Sequence, residues 1–282
     1  MDPRAWRRFR KNKGAIVGAL LVLFVTLTAF LGPLAAPKDP DLQYSEGLDA
    51  TTGLPVAANA QFRMGADQLG RDELSRLLHG GRVSMQVAFG ATALAVFVGL
   101  AIGVATGFFG GVFDTATMRL VDVLLSMPFL LIVIVINQVF DSPSLAVLYV
   151  LLGLLSWTTL ARVTRAKTMQ VRELEFVQAA RALGMSRSRI VVRHVLPNVI
   201  QPAIILGSTL VAQIIIVESA MSFLGLGVRP PTSSWGTMLH DGVGFISNAP
   251  RLVLLPGALI VAAVFGFNLL GEGLRDALDP KS

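Results

Sequence analysis

The stretch FVQAARALG at residues 176–184, followed by RHVLP at residues 193–197, is a basic segment between two long apolar runs. Outward from it, uncharged runs recur along the whole chain. They occupy residues 14–37, 83–113, 123–140, 142–161, 195–217 and 252–271. A helix needs roughly 20 apolar residues to cross the hydrocarbon core of a bilayer. The sequence therefore predicts an all-α membrane protein with six transmembrane helices.

The composition supports this fold class. Of the 282 residues, 53% are hydrophobic and only 15% are charged, whereas about 25% of residues are charged in a typical soluble domain. The chain has no cysteine, which excludes disulfides and thiolate metal sites. We attribute the net charge of +6 to basic cytoplasmic loops and not to nucleic-acid binding.

The distribution of Lys and Arg predicts the topology. Seventeen of the 24 fall in the two termini and in the loops on the same side, and only seven fall in the opposite loops. The rule that cytoplasmic loops are basic places both termini in the cytoplasm of a multi-pass chain. The predicted parts are an N-terminal tail at 1–13, a first span at 14–36, an extracytoplasmic insertion at 37–82, a core of five spans at 83–275, which includes a cytoplasmic loop at 168–197, and a C-terminal tail at 276–282.

The cytoplasmic loop has the pattern of two short helices. Phe176, Ala180 and Leu183 share one face of the first helix. Gly184 is suited to end that helix in the left-handed conformation, and Pro197 is expected to stop or kink the second helix. The loop is interpreted either as a docking surface for a soluble partner or as a basic anchor that fixes topology.

No catalytic constellation is visible in the sequence. The three histidines are widely separated and lack metal-ligand spacing. No glycine-rich phosphate loop ends in Lys-Ser or Lys-Thr. The chain is therefore expected neither to bind nor to hydrolyse ATP, and to carry no cofactor.

A few polar residues in or beside the spans are candidates for function. Glu218 lies well inside an apolar stretch, where ionisable residues often serve transport; it either lines the path or gate, or braces the segment that follows. Asn137 and Gln138 could line a polar path or bond a neighbouring helix. The charged stretch 67–76 either touches a delivery protein or forms a structural elbow. Gly99 and its repeats four residues apart predict close helix packing.

Four ordered motifs resemble the dipeptide/oligopeptide-type permeases of ABC importers, specifically their second, or C-type, permease subunit. The loop itself is similar to the "EAA" signature of these permeases. The other three motifs are MGADQLGRDELSR at 64–76, ESAMSFLGLG at 218–227 with Pro230-Pro231 and Ser234-Trp235-Gly236, and NLLGEGLRDALDP at 268–280. Gln178 departs from the signature, which calls for Glu at that position.

The resemblance implies a type I importer permease of a bacterial or archaeal cytoplasmic membrane. It implies a second permease subunit, two ATPase subunits that hold ATP and Mg²⁺, and an extracytoplasmic solute-binding protein. The residues implied in ATPase coupling are Phe176, Gln178, Ala179, Ala180, Leu183, Gly184, Arg187, Leu196 and Pro197. Peptides are the expected cargo, with nickel complexes, glutathione or oligosaccharides as alternatives. The competing class is an ion-coupled carrier, which would need more charges inside the spans.

Overall fold

The computed structural model describes residues 3–139 and 145–278, without the side chains of residues 3–5, 137 and 138. Helices dominate this part of the chain, and it contains no strand, only two isolated β-bridges. The helices are α1 (Pro3–Lys11), α2 (Lys13–Leu31), α3 (Glu73–Phe109), α4 (Gly111–Ser126), α5 (Phe129–Val139), α6 (Leu145–Arg172), α7 (Glu175–Ala182), α8 (Arg187–Ile190), α9 (Leu196–Phe223), α10 (Trp235–Gly242) and α11 (Arg251–Leu278). The all-α prediction is confirmed.

Five continuous helical segments among the described residues are long and apolar enough to cross a membrane. They contain α2, α3, α6, α9 and α11. A sixth span exists only if α4 and α5, which meet at an angle of 92°, count together as one broken span. The prediction of six spans therefore agrees with five continuous spans and one, over residues 123–140, that is bent where α4 meets α5.

Pro128 explains the break between α4 and α5. Proline lacks the backbone N–H that would continue the helix, and it disfavours helical geometry at the residue before it. Met127 accordingly adopts an extended conformation, with φ −93° and ψ 142°. The described part of α5 has 11 residues and is about 16 Å long. The stretch Asp141-Ser-Pro-Ser144, which separates the third and fourth apolar runs, predicts a tight turn from its sequence and lies outside the described residues.

Pro197 does not stop the helix that contains it. A single helical segment runs from Arg187 to Phe223. The turn before the proline, Val191–Val195, widens into a π-helix, and the N–H of Leu196 donates to the Val191 carbonyl. A π-turn is one of the ways in which a helix absorbs a proline without ending. The short helix α8 is thus a direct extension of α9.

The most extensive helix pairing among the described residues joins α3 to α6 through glycines spaced four residues apart. A Cβ atom at Gly103 would lie 2.6 Å from the Ala161 carbonyl oxygen, and one at Gly107 would lie 2.7 Å from the Arg165 carbonyl oxygen. Backbone meets backbone along this seam, so no larger residue fits. The predicted packing role of these glycines is confirmed.

The segment before α3 folds against the ends of α3, α10 and α11. The Nε atom of Arg71 lies 2.6 Å from the Oδ2 atom of Asp67, and the Nε atom of Arg76 lies 3.1 Å from the same oxygen. All three side chains are buried, with Asp67 exposing only 2% of its surface. Because buried charges cannot touch a docking protein, the structure favours the elbow interpretation of residues 67–76.

Arg251 fastens this segment to the start of α11. Its guanidinium donates to the carbonyl oxygens of Val56 at 2.7 Å, of Met64 at 3.1 Å and of Ala66 at 3.1 Å. At the opposite end of α11, Asn12 donates from Nδ2 to the Oδ2 atom of Asp276 at 2.9 Å. The N-terminal end of α2 and the C-terminal end of α11 therefore lie at the same end of the molecule.

The α3–α6 seam predicts opposite effects for two Gly→Ala changes. Gly103→Ala forces the helices apart and should cost about 1–3 kcal/mol through overpacking. Gly257→Ala should be neutral or stabilising by up to about 1 kcal/mol, because its nearest neighbour would be 3.8 Å away and alanine favours helix. The thermal unfolding midpoints of the purified variants measure both effects. Equal midpoints would contradict the close contact.

Candidate functional site

The helix α7 ends in a Schellman motif at Gly184. This residue has φ +79°, a left-handed conformation in which glycine is favoured. The N–H of Met185 donates to the Ala180 carbonyl at 3.1 Å, and the N–H of Gly184 donates to the Arg181 carbonyl at 3.0 Å. These two bonds define the motif. Gly184 therefore ends the helix as predicted, and the chain reverses sharply into α8.

An apolar cluster anchors this helix–turn–helix unit to three spans. Val177 and Ala180 from α7 and Ile190 from α8 are buried in it. The spans contribute Val104 and Phe108 from α3, Val171 from α6, and Val195 and Val199 from the π-turn and α9. Because interiors are close-packed, a displacement of α7 is transmitted directly to the ends of these spans.

The exposed surface of α7 carries an apolar strip beside the exposed charges of Glu175 and Arg181. Phe176 is 43% exposed and Leu183 is 87% exposed. Ala179 is exposed between them, whereas Ala180 turns inward. The three residues predicted to share one face, Phe176, Ala180 and Leu183, therefore do not all face solvent. Ala180 packs against the apolar cluster, and Ala179 is the alanine exposed beside Phe176 and Leu183. A Cβ atom at Gly184 would meet nothing within 4 Å, so the turn beside Leu183 is open.

Gln178 occupies the position of the signature Glu and is bonded within the chain. Its Nε2 atom donates to the Oε2 atom of Glu173 at 3.1 Å and to the Arg172 carbonyl at 3.2 Å. Arg172 in turn donates from Nη1 to the Gly107 carbonyl at the end of α3, at 3.0 Å. The amide of Gln178 thus links α7 to the ends of α6 and α3. A glutamate here would place two carboxylates together and could not donate.

The remaining predicted coupling residues lie on or near the same unit. Arg187 is exposed at the start of α8. Leu196 packs against the apolar cluster, and Pro197 is exposed at the start of α9. The structure therefore brings all nine predicted residues into one unit, with Phe176, Ala179, Leu183, Gly184 and Arg187 on its surface.

A cavity of about 450 Å³ opens between the junction of α4 and α5 on one side and helices α6 and α9 on the other. Its walls are mostly apolar, and its polar groups are Ser156, Thr158, Thr159, Thr209 and Gln213. A largely apolar cavity with a few hydroxyl and amide groups suits a ligand of mixed polarity. The sequence-based argument missed these residues. Gln213 carried a signal in the sequence, since an amide in the middle of an apolar run needs a hydrogen-bond partner from water, ligand or protein.

Glu218 lies outside the lining of this cavity and has the geometry of a brace. It is 2% exposed. Ser222 donates to its Oε1 atom at 2.8 Å, and Ser84 donates to its Oε2 atom at 3.1 Å. Ser84 also accepts the N–H of Trp235 at 3.2 Å, which links α3, α9 and α10. This arrangement supports the bracing interpretation, and a role in the path stays a prediction.

Asn137 and Gln138 lie in α5, but their side chains fall outside the described part of the structure. Their place in a path stays a prediction. Within residues 3–139 and 145–278, no three His, Asp or Glu side chains are grouped as a metal site would require.

The hydrogen bonds of Gln178 predict the effect of one substitution and its reversal by a second substitution. Gln178→Glu should place its carboxylate against Glu173 and weaken the anchoring of α7, reducing transport about two- to fivefold by like-charge repulsion. Adding Glu173→Gln removes one charge and should restore activity. Initial transport rates at matched expression measure both variants. Full activity of the single variant would contradict the proposed link.

Comparisons with known proteins agree with this geometry. Residues 87–282 match the family described as "Binding-protein-dependent transport system inner membrane component", and residues 4–54 match "N-terminal TM domain of oligopeptide transport permease C". The chain is 36% identical over 276 residues to the dipeptide transport system permease protein DppC of Haemophilus influenzae, covering 98% of this chain and 93% of that protein. It is 37% identical over 277 residues to the oligopeptide transport system permease protein OppC of Escherichia coli, covering 98% and 90%. It is also 37% identical over 276 residues to the di/tripeptide transport system permease protein DppC of Pseudomonas aeruginosa, covering 98% and 91%.

These matches extend over nearly the whole chain and include both the membrane core and the N-terminal span. They confirm the resemblance seen in the four sequence motifs. They also agree with a transport subunit and not an enzyme, since the family consists of membrane permease components of transport systems. The chain belongs to the family of binding-protein-dependent transport system inner membrane components.

Proposed function

We propose that this chain is one of two permease subunits of an ATP-driven importer of di- and oligopeptides. A second permease chain, two ATPase subunits with their ATP and Mg²⁺, and an extracytoplasmic binding protein complete the transporter. The peptide cargo is supported by the relatives, whose names specify dipeptide, di/tripeptide and oligopeptide transport. The insertion end of the molecule faces outward, and both termini face the cytoplasm of a bacterial or archaeal cell.

One observation carries the proposal: α7 exposes apolar side chains to solvent, and its opposite face packs against three spans. Phe176, Ala179 and Leu183 form this surface, which we call the docking face. Exposed apolar groups on a short, well-anchored helix are typical of a protein–protein contact. A purely topological anchor would need basic residues but no such face. The nearby arginines serve either role and do not decide between them.

The same anchoring gives a route from ATPase movement to the cavity. When the ATPases close, they push the docking face and the apolar cluster behind it. Val171 and Val199 carry that movement into α6 and α9. Both helices line the cavity of about 450 Å³. Its walls would therefore shift as α7 shifts, and the cavity would open alternately to the two sides.

A substitution at Gly184, which follows Leu183 directly, tests the docking face. Gly184→Asp places a side chain where the φ angle of +79° disfavours one, at about 1 kcal/mol. The added group meets nothing in this chain, so it obstructs only a partner. We expect at least about fivefold less ATPase to co-purify, or hydrolysis that no longer drives transport. Arg187→Lys is the control and should behave almost as the parent.

The measurement is ATPase co-purification and peptide transport at matched expression of the membrane chain. Normal transport by Gly184→Asp, with its ATPases bound, would show that residues 168–197 only anchor the topology. The docking proposal would then be wrong.

The orientation is tested by cysteine labelling, since the chain has no cysteine of its own. Ser45 and Ser186 are both exposed, at opposite ends of the molecule. In intact cells without an outer barrier, an impermeant thiol reagent should label the Ser45→Cys variant and not the Ser186→Cys variant. Permeabilised cells should show labelling of both. The reverse pattern in intact cells would invert the proposed topology.

A further inference from the structure

A second, polar hollow lies at the insertion end of the molecule, far along α3 from the docking face. Its volume is about 260 Å³. Three segments meet there: residues 40–41 after the first span, the first turns of α3, and residues 232–233 before α10. Pockets that enclose drug-sized ligands measure roughly 300–1,000 Å³. This hollow is smaller, so it fits one end of a ligand and not a whole extended peptide.

Arg82 is the cationic side chain that is available to a ligand in this hollow. Its side chain is exposed, and it forms no ion pair or hydrogen bond with any described residue. The neighbouring cations are engaged elsewhere: Arg76 pairs with Asp67, and Arg251 binds backbone carbonyls. The ammonium of Lys38 lies 3.6 Å from the centre of the Phe62 ring. Arg82 thus presents a free guanidinium, whose planar fork matches a carboxylate.

The other residues that line the hollow include several that can form hydrogen bonds. His79 donates from Nδ1 to the Ser75 carbonyl at 2.9 Å, because a carbonyl can only accept. This contact holds the ring on the wall of the hollow. Gln86 and Thr232 add an amide and a hydroxyl on the other sides, whereas the Ser233 hydroxyl donates to the Arg76 carbonyl at 3.4 Å. Asp41 lines the edge and is the one carboxylate among the described residues of the lining, where it can accept from an ammonium or a peptide N–H.

We propose that this hollow is an entry site that holds the C-terminal carboxylate of an incoming peptide on Arg82. This inference rests on the proposed function, since it takes peptide as the cargo and the insertion end as the outer side. The hollow lies at the end of α3 opposite to the docking face, where a peptide would arrive from its binding protein. Arg82 receives the carboxylate, the Gln86 amide donates to it, and Asp41 accepts from a peptide N–H, which a simple anion lacks.

The test is protection of a cysteine placed in the hollow of the assembled transporter. Thr232→Cys adds a thiol at an exposed lining position, and Thr52→Cys adds one on the insertion, away from the hollow. The thiol reagent is applied without binding protein, with trialanine, trialanine amide or inorganic phosphate at equal concentrations. Trialanine should slow labelling of the Thr232→Cys variant about tenfold, and the amide should not. Labelling of the Thr52→Cys variant should not change.

Changes at Arg82 complete the test. Adding Arg82→Gln to Thr232→Cys should remove the protection by trialanine, and Arg82→Lys should keep part of it, since lysine retains the charge without the fork. Protection that is equal for peptide and amide, or that survives Arg82→Gln, overturns the entry site. So does protection by phosphate alone.

Transport assays on the same preparations separate the two proposals. If binding protein and ATP drive peptide uptake but trialanine does not protect the thiol, the entry site is wrong and the importer stands. If no peptide is transported by the parent complex, both are wrong.

Discussion

The contact on which the rest of this structure depends is the backbone-to-backbone seam between α3 and α6. Gly99, Gly103 and Gly107 bring the two helices so close that a single Cβ atom would collide with a carbonyl. In a membrane, helices gain little from hydrophobic association, so close packing of small residues has to hold them together. The seam also fixes the ends of both helices beside each other. Arg172 at the end of α6 reaches the carbonyls of α3 only because of it.

That shared end is where the apolar cluster behind α7 forms. Val104 and Phe108 come from α3, and Val171 comes from α6. Without the seam, these side chains would not form a common floor for α7. The other end of α3 is held differently, by buried ion pairs and by the Arg251 clamp on the insertion. A single helix therefore connects a rigid elbow at the insertion end to the surface proposed for ATPase docking, and Glu218 ties the insertion half of this helix to α9 and α10.

Patterns of one residue type over many positions predicted much of this fold. Apolar runs of bilayer length located five of the spans, and a four-residue glycine repeat identified the seam. Gly184 was predicted from its neighbours because a Schellman turn is a local structure. The sequence did not distinguish the effects of two prolines. Pro128 breaks a span, whereas Pro197 sits inside a continuous helix, and a π-turn makes the difference. Whether a chain breaks or widens at a proline depends on what packs around it, which the sequence does not state.

The residues that line the cavity and the hollow could not be predicted from the sequence either. Ser156, Thr159 and Gln213 come together only because α6 and α9 cross at one depth, and no spacing within the sequence encodes that crossing. Asp41 and Arg82 lie 41 positions apart and meet Thr232 and Ser233 from the far end of the chain. Arg82 looked like one of several cations in the insertion until the structure showed its neighbours to be engaged. What distinguishes it is the absence of a partner among the described residues, whereas Arg71, Arg76 and Arg251 nearby are all engaged. An unpaired guanidinium among hydroxyl and amide groups gains most from a ligand that brings its own negative charge. A peptide always carries one, at its C-terminus, whatever its side chains. Recognition at that group would let the hollow accept peptides of different sequence, which is the requirement on any transporter of mixed peptide cargo.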